Sequence, residues 1–394
     1  MLIEGPSWSA EAHHVSTTMQ RRDYPLLSPS LGATHQLTSF HFGHAESGEK
    51  VYIQASLHAD ELPGMLVAWH LKSALKKLEA AGHVRGEIVL VPQANPIGHD
   101  QTLLGQQLGR FELASGENFN RSYPELATKI YPRIKPQLSR DSQSNTRLIR
   151  IALREAAHEM TVRTELSSLR QQLMCLAVDA DVVLDLHCDF KAALHVYTGT
   201  PLWESCEPLA RYLGSSAQFL CTQAGGDPFD EACCRPWWEL QALAGADGLK
   251  APIELGCLAV TVELRGQADV NHAIARQDAE AILDFLRHRG VIADRAAPPQ
   301  PELKYPATPL SGSENLRTPH AGVVVFLVEP GTVVEAGQPV VEVIDPLSDC
   351  ATVLSSQYGG MLYAVENRHY ATSGMWLAKV ATRTSFKTGP LLSA

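Results

Sequence analysis

The residues best suited to chemistry in this 394-residue chain are His58 and Glu61, set in the turn of VYIQASLHADELPG (Val51 to Gly64). An imidazole and a carboxylate three residues apart on one helical-type turn can converge on a single ion. Zinc accepts nitrogen and carboxylate oxygen ligands together and, in catalytic sites, keeps a position open for water. Alone the pair is a weak signal. With sixteen histidines in the chain, chance matches are easy, and an acidic first turn at an exposed helix N-terminus looks the same. Two further groups occupy comparable places. His187 lies at the end of DVVLDLHC (Asp181 to Cys188), and Glu263 at the end of AVTVEL (Ala259 to Leu264). A lone histidine or glutamate at a strand end is more often structural or surface-bound, so the joint placement carries the argument. In open α/β sheets ligands bind at the carboxyl ends of strands, and three separate stretches bring functional groups to one rim.

A sheet must position these groups. Leu37 to Phe42 and Val51 to Leu57 read as neighbouring strands joined by the turn AESGEK. Met65 to Ala81 has helical apolar spacing and ends at Gly82. EIVLVPQA (Glu87 to Ala94) is a continuous apolar run, as for a strand buried on both faces. Strand, helix and strand at that spacing make a βαβ unit with a parallel sheet. Ser144 to Val178 reads as strongly helical, Ala192 to Tyr197 and Ser216 to Thr222 as strands, and Asn271 to Arg289 as a helix.

Between the strand Glu87 to Ala94 and the helical stretch from Ser144 lies NPIGHDQTLLGQQLGRFELASGENFNRSYPE, rich in glycine and asparagine and without a period. A loop of that length in a compact domain is usually functional or disordered. Its asparagines suit turns, and Arg110 and Arg121 suit bidentate capture of an anion.

The order LHADE (Leu57 to Glu61), NP (Asn95, Pro96), Arg110, NFNR (Asn118 to Arg121), DLH (Asp185 to His187) and VEL (Val262 to Leu264) resembles the succinylglutamate desuccinylase/aspartoacylase family, a zinc carboxypeptidase-like branch. The resemblance spans roughly Val51 to Gly266. It implies that His58, Glu61 and His187 hold one zinc ion, that Glu263 is the general base and acid, and that Arg110 polarises the scissile carbonyl. It further implies that Asn120 and Arg121 grip the substrate's α-carboxylate. The segment between Arg110 and Asn120 reads as longer than the family's usual loop. Asp185 would be an acceptor for a zinc-bound histidine, or merely share its strand face. Arg235 and Arg265 could each bind a second carboxylate on the acyl group, against a commoner role in surface ion pairs. Tyr197 and His195, following His187 by a short hairpin, could line the pocket, although core or surface placement is commoner. Cys188 has no nucleophile context, and PWWE (Pro236 to Glu239) reads as cover for the site or packing at an edge.

Composition bounds the rest. A hydrophobic share of 45%, a charged share of 19% and eight scattered cysteines suit a cytoplasmic, reduced, globular protein. No apolar run is long enough for a transmembrane span, and the N-terminus does not read as a secretory signal. A net charge of −10 without a basic cluster argues against nucleic acid. Two domains are expected: a catalytic one over residues 1–295, a mixed, largely parallel sheet flanked by helices, and a small all-β barrel-sandwich over 302–394, joined by AAPPQP. The second part carries an internal repeat with an offset of 37 residues, in which Gly322, Glu329, Gly337, Val340 and Val343 map onto Gly359, Glu366, Gly374, Leu377 and Val380. It is similar to biotinyl/lipoyl-type domains but has no attachment lysine between Asp345 and Gly359, which leaves a lid or scaffold role. The expected function is hydrolysis of a small N-acyl amino acid, with no membrane partner and room for a homo-oligomer. The rivals are a small-peptide metallocarboxypeptidase and an inactive carboxylate-binding relative. A pure binder needs no general base, and that counts against the last.

Overall fold

The computed structural model describes residues 19–44 and 48–391. The chain begins with β1 (Gln20–Pro25) and β2 (Gln36–Gly43), followed by β3 (Lys50–Ala55), α1 (Pro63–Ala80) and β4 (Glu87–Val91). The long glycine- and asparagine-rich segment holds only α2 (Pro96–His99) and the small hairpin β5 (Thr102–Leu103) and β6 (Gln106–Gln107). Helices α3 (Ala127–Ile134), α4 (Ser142–His158) and α5 (Glu165–Ala177) lead into β7 (Val182–Asp189), β8 (Lys191–Ala192) and β9 (His195–Gly199). Then come α6 (Trp203–Leu213), β10 (Ala217–Cys221), α7 (Phe229–Ala246), β11 (Leu258–Gly266), α8 (His272–His288) and β12 (Thr308–Pro309).

One nine-stranded sheet organises this part, in the order β1-β2-β4-β3-β7-β11-β9-β10-β12. The pairs β3/β4, β3/β7, β7/β11, β9/β10 and β10/β12 are parallel, whereas β1/β2, β2/β4 and β9/β11 are antiparallel. The expected mixed, largely parallel sheet is therefore present, with helices packed against it. Its centre is apolar on both faces: Val51, Ile53, Leu90, Val183, Leu184, Val260 and Val262 are fully buried. Each such side chain contributes about 1.5–3 kcal/mol relative to exposure.

Three expectations change. β2 and β3 are not neighbours, because β4 lies between them. Both edges of the almost wholly buried β3 are taken by the similarly buried β4 and β7, and β2, which alternates buried and half-exposed positions, suits a place nearer the sheet edge. Of the turn AESGEK, residues 45–47 lie outside the described residues, as do residues 1–18, the stretch read as lacking a secretory signal. The helical stretch from Ser144 to Val178 is two helices. Thr164 and Ser167 form a reciprocal capping box that starts α5 afresh. Finally, β9 does not pair with β7 as a hairpin, since β11 runs between them.

The C-terminal part contains β13 (Ser313–Arg317), β14 (Gly322–Phe326), β15 (Thr332–Val334), β16 (Pro339–Asp345), β17 (Cys350–Ser355), β18 (Gly360–Val365), β19 (Tyr370–Ala371) and β20 (Trp376–Ala381). They form two separate sheets, β13-β20-β18-β15 and β17-β16-β14-β19, with no closed barrel among the described residues. The sequence repeat explains the pattern. Shifting β13 through β16 by one repeat gives β17 through β20, and the shift converts one strand order into the other. Each half thus gives strands to both sheets, and Leu316, Val324, Val340, Val343, Leu362, Leu377 and Val380 bury a shared core that neither half could close alone. β8 pairs with β18, and β12 joins the large sheet beside β10, so this part is tied to the site-bearing sheet at two places.

Candidate active site

His58, His187 and Glu263 come from three consecutive strands of the sheet centre. His58 follows β3, His187 is in β7, and Glu263 in β11 stands opposite His187 in register. The turn after β3 is strongly constrained. Ser56 has a φ of 62°, a value costly for a non-glycine residue and typical of strained functional turns. Asn95 caps α2 through Gly98 N–H and donates Nδ2 to Leu57 O at 2.9 Å, which pins the turn from the side. Ala59 N–H donates to Gly109 O at 2.9 Å, and a Cβ on Gly109 would lie 2.1 Å from Asp60 N. Glycine at 109 is what lets the loop lie flat on the turn and bring Arg110 to it.

Among the described residues, His58, Glu61 and His187 are a buried group whose donor atoms lie within 4.8 Å of one another. His58 Nδ1 is 2.9 Å from Glu61 Oε1, and His187 Nδ1 is 2.7 Å from Glu61 Oε2. Asn118 Oδ1, which already accepts Asn120 N–H at 2.8 Å, faces His58 Nε2 at 3.0 Å. The proton of a neutral His58 therefore sits on Nε2, and its Nδ1 lone pair confronts a carboxylate. Burial and the charge of Arg110 push the pKa of His58 down to about 4, so this contact sets acceptor against acceptor. Glu61, despite burial, is held well below the usual carboxylate range by the two imidazoles. Burial opposes a charge on His187, yet Asp185 and Glu61 raise its pKa well above the usual range. The cluster calls for a cation, and two imidazole nitrogens with a carboxylate fit a metal ion such as zinc.

Asp185 shares the strand face of His187. Its Oδ2 stands 3.0 Å from His187 Nε2 without accepting a hydrogen bond, while Oδ1 accepts from Gln54 Nε2 at 2.9 Å. Arg110 donates Nη2 to Glu61 Oε1 at 3.1 Å. The longer segment after Arg110 does not displace it, because Phe119 N–H returns to Arg110 O at 3.1 Å and residues 112–117 loop outward. Half-buried Glu263 keeps Oε2 without a hydrogen-bond partner, and burial together with the charge of Glu61 raises its pKa to about 8.

A cavity of about 280 Å³ opens on these groups and is lined by His58, Arg110, Asn120, Arg121, His187, Tyr197 and Glu263. Asn120 Oδ1 accepts Phe229 N–H at 2.9 Å, which orients its Nδ2 toward His187 at 3.4 Å. Arg121 donates Nη1 to Asn120 O at 2.7 Å. Tyr197 stacks on Phe219.

Other candidates are placed elsewhere. Arg235 is outside the cavity lining, and its guanidinium is held by Asp227 at 2.7 Å, Glu239 at 3.1 Å and Glu231 at 3.7 Å. Three carboxylates already saturate it, which corrects its assignment to substrate. Arg265 sits at the bulge ending β11 and makes a bidentate pair with Asp278. His195 is buried, with Nδ1 on Ala193 O, and does not line the cavity. Cys188 does line it, but burial drives its thiol pKa far up, so it is not a nucleophile. Trp237 is core.

Sequence reasoning passed over Asn118 as a positioning group, Asp230 and Glu231 at the start of α7, and Trp376 and Lys379 of β20, the last four all lining the cavity. Lys379 donates to Asp189 Oδ2 at 2.7 Å and lies over the Trp376 ring, which stacks on Phe190. A lysine inside the apolar strand WLAKVA was a usable signal. The wall it forms comes from the C-terminal part.

The family profile for the succinylglutamate desuccinylase/aspartoacylase catalytic domain matches residues 47–289. No curated protein matches. Among solved structures, a succinylglutamate desuccinylase/aspartoacylase family protein from Shewanella amazonensis is 28% identical with a TM-score of 0.79, covering 92% of this chain and 99% of the other. A second such protein, from Shewanella frigidimarina, is 26% identical with a TM-score of 0.80, covering 93% and 98%. The product-bound ectoine utilization protein EutE of Ruegeria pomeroyi shares the fold at 14% identity and a TM-score of 0.63, covering 92% and 95%.

Proposed function

Because the chain belongs to the succinylglutamate desuccinylase/aspartoacylase family, we propose that it is a zinc-dependent hydrolase of the amide bond of small N-acyl amino acids. The observation that carries this reading is the convergence of His58, Glu61 and His187 beside Arg110 and Glu263 in one cavity. His58 and His187, through Nδ1, and Glu61 would hold the metal. When bound, zinc supplies a Lewis acid and lowers the pKa of its water to about 7.

The chain's own groups account for the rest. Glu263 takes the proton of the attacking water and delivers it to the amine nitrogen as the amide bond breaks. The delivery matters because an amide anion is a very poor leaving group. Arg110, beside Glu61, donates to the carbonyl oxygen as negative charge develops there. Arg121 and the Nδ2 of Asn120, both on the cavity lining, take the substrate's carboxylate. Tyr197 bounds the acyl side. Residues 302–394 act as a lid: Trp376 and Lys379 narrow the cavity and favour amino-acid-sized substrates over polypeptides.

Amine release from a panel of N-acetyl and N-succinyl amino acids and simple dipeptides tests this function. Turnover of acyl-amino acids, abolished by a chelator, is the expected result, and turnover of dipeptides alone would move the chain to the carboxypeptidases. Asn118 offers a second check. Asn118→Ala removes the acceptor that fixes the tautomer of His58, and zinc affinity should fall about 10- to 100-fold, as read by competition with a chromogenic chelator. An unchanged affinity would remove Asn118 from the site.

A further inference from the structure

One short turn, Asn118 to Arg121, supplies side chains to both halves of the site. Asn118 O accepts Arg121 N–H at 3.2 Å, and Asn118 Oδ1 accepts Asn120 N–H at 2.8 Å. Asn118 Oδ1 also faces His58 on the metal side, while Asn120 and Arg121 line the cavity. A clamp reaches this turn from α5. Arg170 donates Nη2 to Asn118 O at 3.0 Å and Nη1 to Glu117 Oε2 at 2.8 Å. Its guanidinium carbon lies 6.0 Å from the centre of the Tyr123 ring, two residues past Arg121. A single side chain thus touches the chain just before the turn, at its first residue and just after it.

Arg170 is outside the cavity lining and has no part in the hydrolysis described above. It is 8% exposed and shares the buried side of α5 with Leu166, Leu169 and Leu173. A guanidinium in such a place is costly unless its donors are used. Among the described residues Nε has no hydrogen-bond partner, so the two Nη atoms, and the turn they hold, account for the arginine. Helix packing alone would be served at lower cost by an apolar side chain of similar length. The planar fork fixes two donors relative to each other, which sets the turn in orientation as well as in distance.

We infer that Arg170 is a positioning residue for both halves of the site: through Asn118 it orients His58, and through the turn it places Asn120 and Arg121. The carboxylate half of this inference rests on the deacylase reading, whereas the metal half can be read without turnover.

Arg170→Met in the full-length chain is the test. Methionine keeps an apolar stem, Asn118 O retains Arg121 N–H, and Glu117, with a side chain 51% exposed, is open to water. Two shifts should appear together. Zinc affinity, read by competition with a chromogenic chelator, should fall about tenfold, as for an orienting neighbour of a metal ligand. With zinc saturating, KM for the best acyl-amino acid of the panel should rise about tenfold, more than kcat falls, because the grip on the carboxylate is displaced. Arg170→Lys keeps the charge without the fork and should lie between Arg170→Met and wild type on both measures. If Arg170→Met fails to fold, Glu117→Lys, at the half-exposed partner, repels the guanidinium from the turn and carries the same expectation. A lower melting temperature with zinc affinity and KM both unchanged would leave Arg170 a structural residue only and overturn the inference. A shift in only one of the two would also overturn it, since one clamp is to serve both halves. A wild type that binds zinc and hydrolyses nothing in the panel rejects the deacylase reading alone, and the zinc affinity of the variant then decides the role of Arg170.

Discussion

Glu263→Gln is expected to lower kcat by about 10³ or more while zinc stays bound. One carboxyl carries both proton transfers, from water and to the amine, and positioned acid–base groups typically contribute about 10²–10⁴. Glutamine matches the shape and cannot accept the proton. The measurement is kcat on the best acyl-amino acid beside metal content by mass or atomic absorption. Loss of metal in this variant would contradict the assigned role. The same substitution has a pH signature in the metal-free protein. Burial and the charge of Glu61 place the pKa of Glu263 at about 8 in the fold, against about 4.3 in an unfolded chain. Between those values the folded state holds a proton that the unfolded state has released. The group's contribution to stability is therefore full below the unfolded pKa and is lost as pH rises through about 8. Glutamine does not titrate, so in chelator the melting temperature of the variant relative to wild type should climb from pH 5 to pH 9. A pH-independent difference would show that Glu263 is not held protonated.

Glu61→Gln should abolish the response of stability to zinc. In the wild-type cluster the Glu61 carboxylate faces both Nδ1 atoms and accepts Cys188 N–H at 3.1 Å. Glutamine can keep an oxygen as acceptor for Cys188 N–H, but the amide nitrogen that would face His58 Nδ1 also meets the Arg110 Nη2 donor, and the charge that the fold holds on Glu61 is lost. The metal-free variant should therefore be less stable than wild type. Its zinc affinity should drop by more than about 10²-fold, beyond what loss of an orienting neighbour costs. Zinc at about a thousand times its dissociation constant adds about 4 kcal/mol to wild-type stability, and a chelator should remove that gain. In the variant, zinc and chelator should leave the thermal transition almost unmoved, and hydrolysis should be lost. A variant still stabilised by zinc to the wild-type extent would exclude Glu61 as a ligand.

Much of the site was legible in the sequence because its determinants are local. Apolar runs such as DVVLDL and AVTVEL form strands wherever they are buried, and a group at the end of a parallel strand reaches the rim whatever the neighbouring order. The turn His58-x-x-Glu61 carries its own geometry, and the order of the short motifs identified the family. The residues of the repeat, 37 apart, predicted two β halves related by pseudo-symmetry, since each half has an apolar face and too few strands to cover it.

Tertiary structure alone decided the rest. That β4 separates β2 from β3, and β11 separates β7 from β9, depends on which buried faces match across the sheet. Adjacency in sequence does not encode that choice. Arg235 and Arg265 looked available for substrate until helix formation in α7 set Glu231 and Glu239 one turn to either side of Arg235, with Asp227 beside them, and the packing of α8 brought Asp278 to Arg265. Lys379 and Trp376 reached the cavity because β18 pairs with β8 and draws β20 over Asp189 and Phe190. Asp230 and Glu231 reached the cavity lining only because α7 packs against β9 and β11. A side chain's type states what chemistry it can do. Whether a partner already uses that capacity depends on contacts between residues far apart in the chain, and those exist only once the sheet order and the helix packing are set.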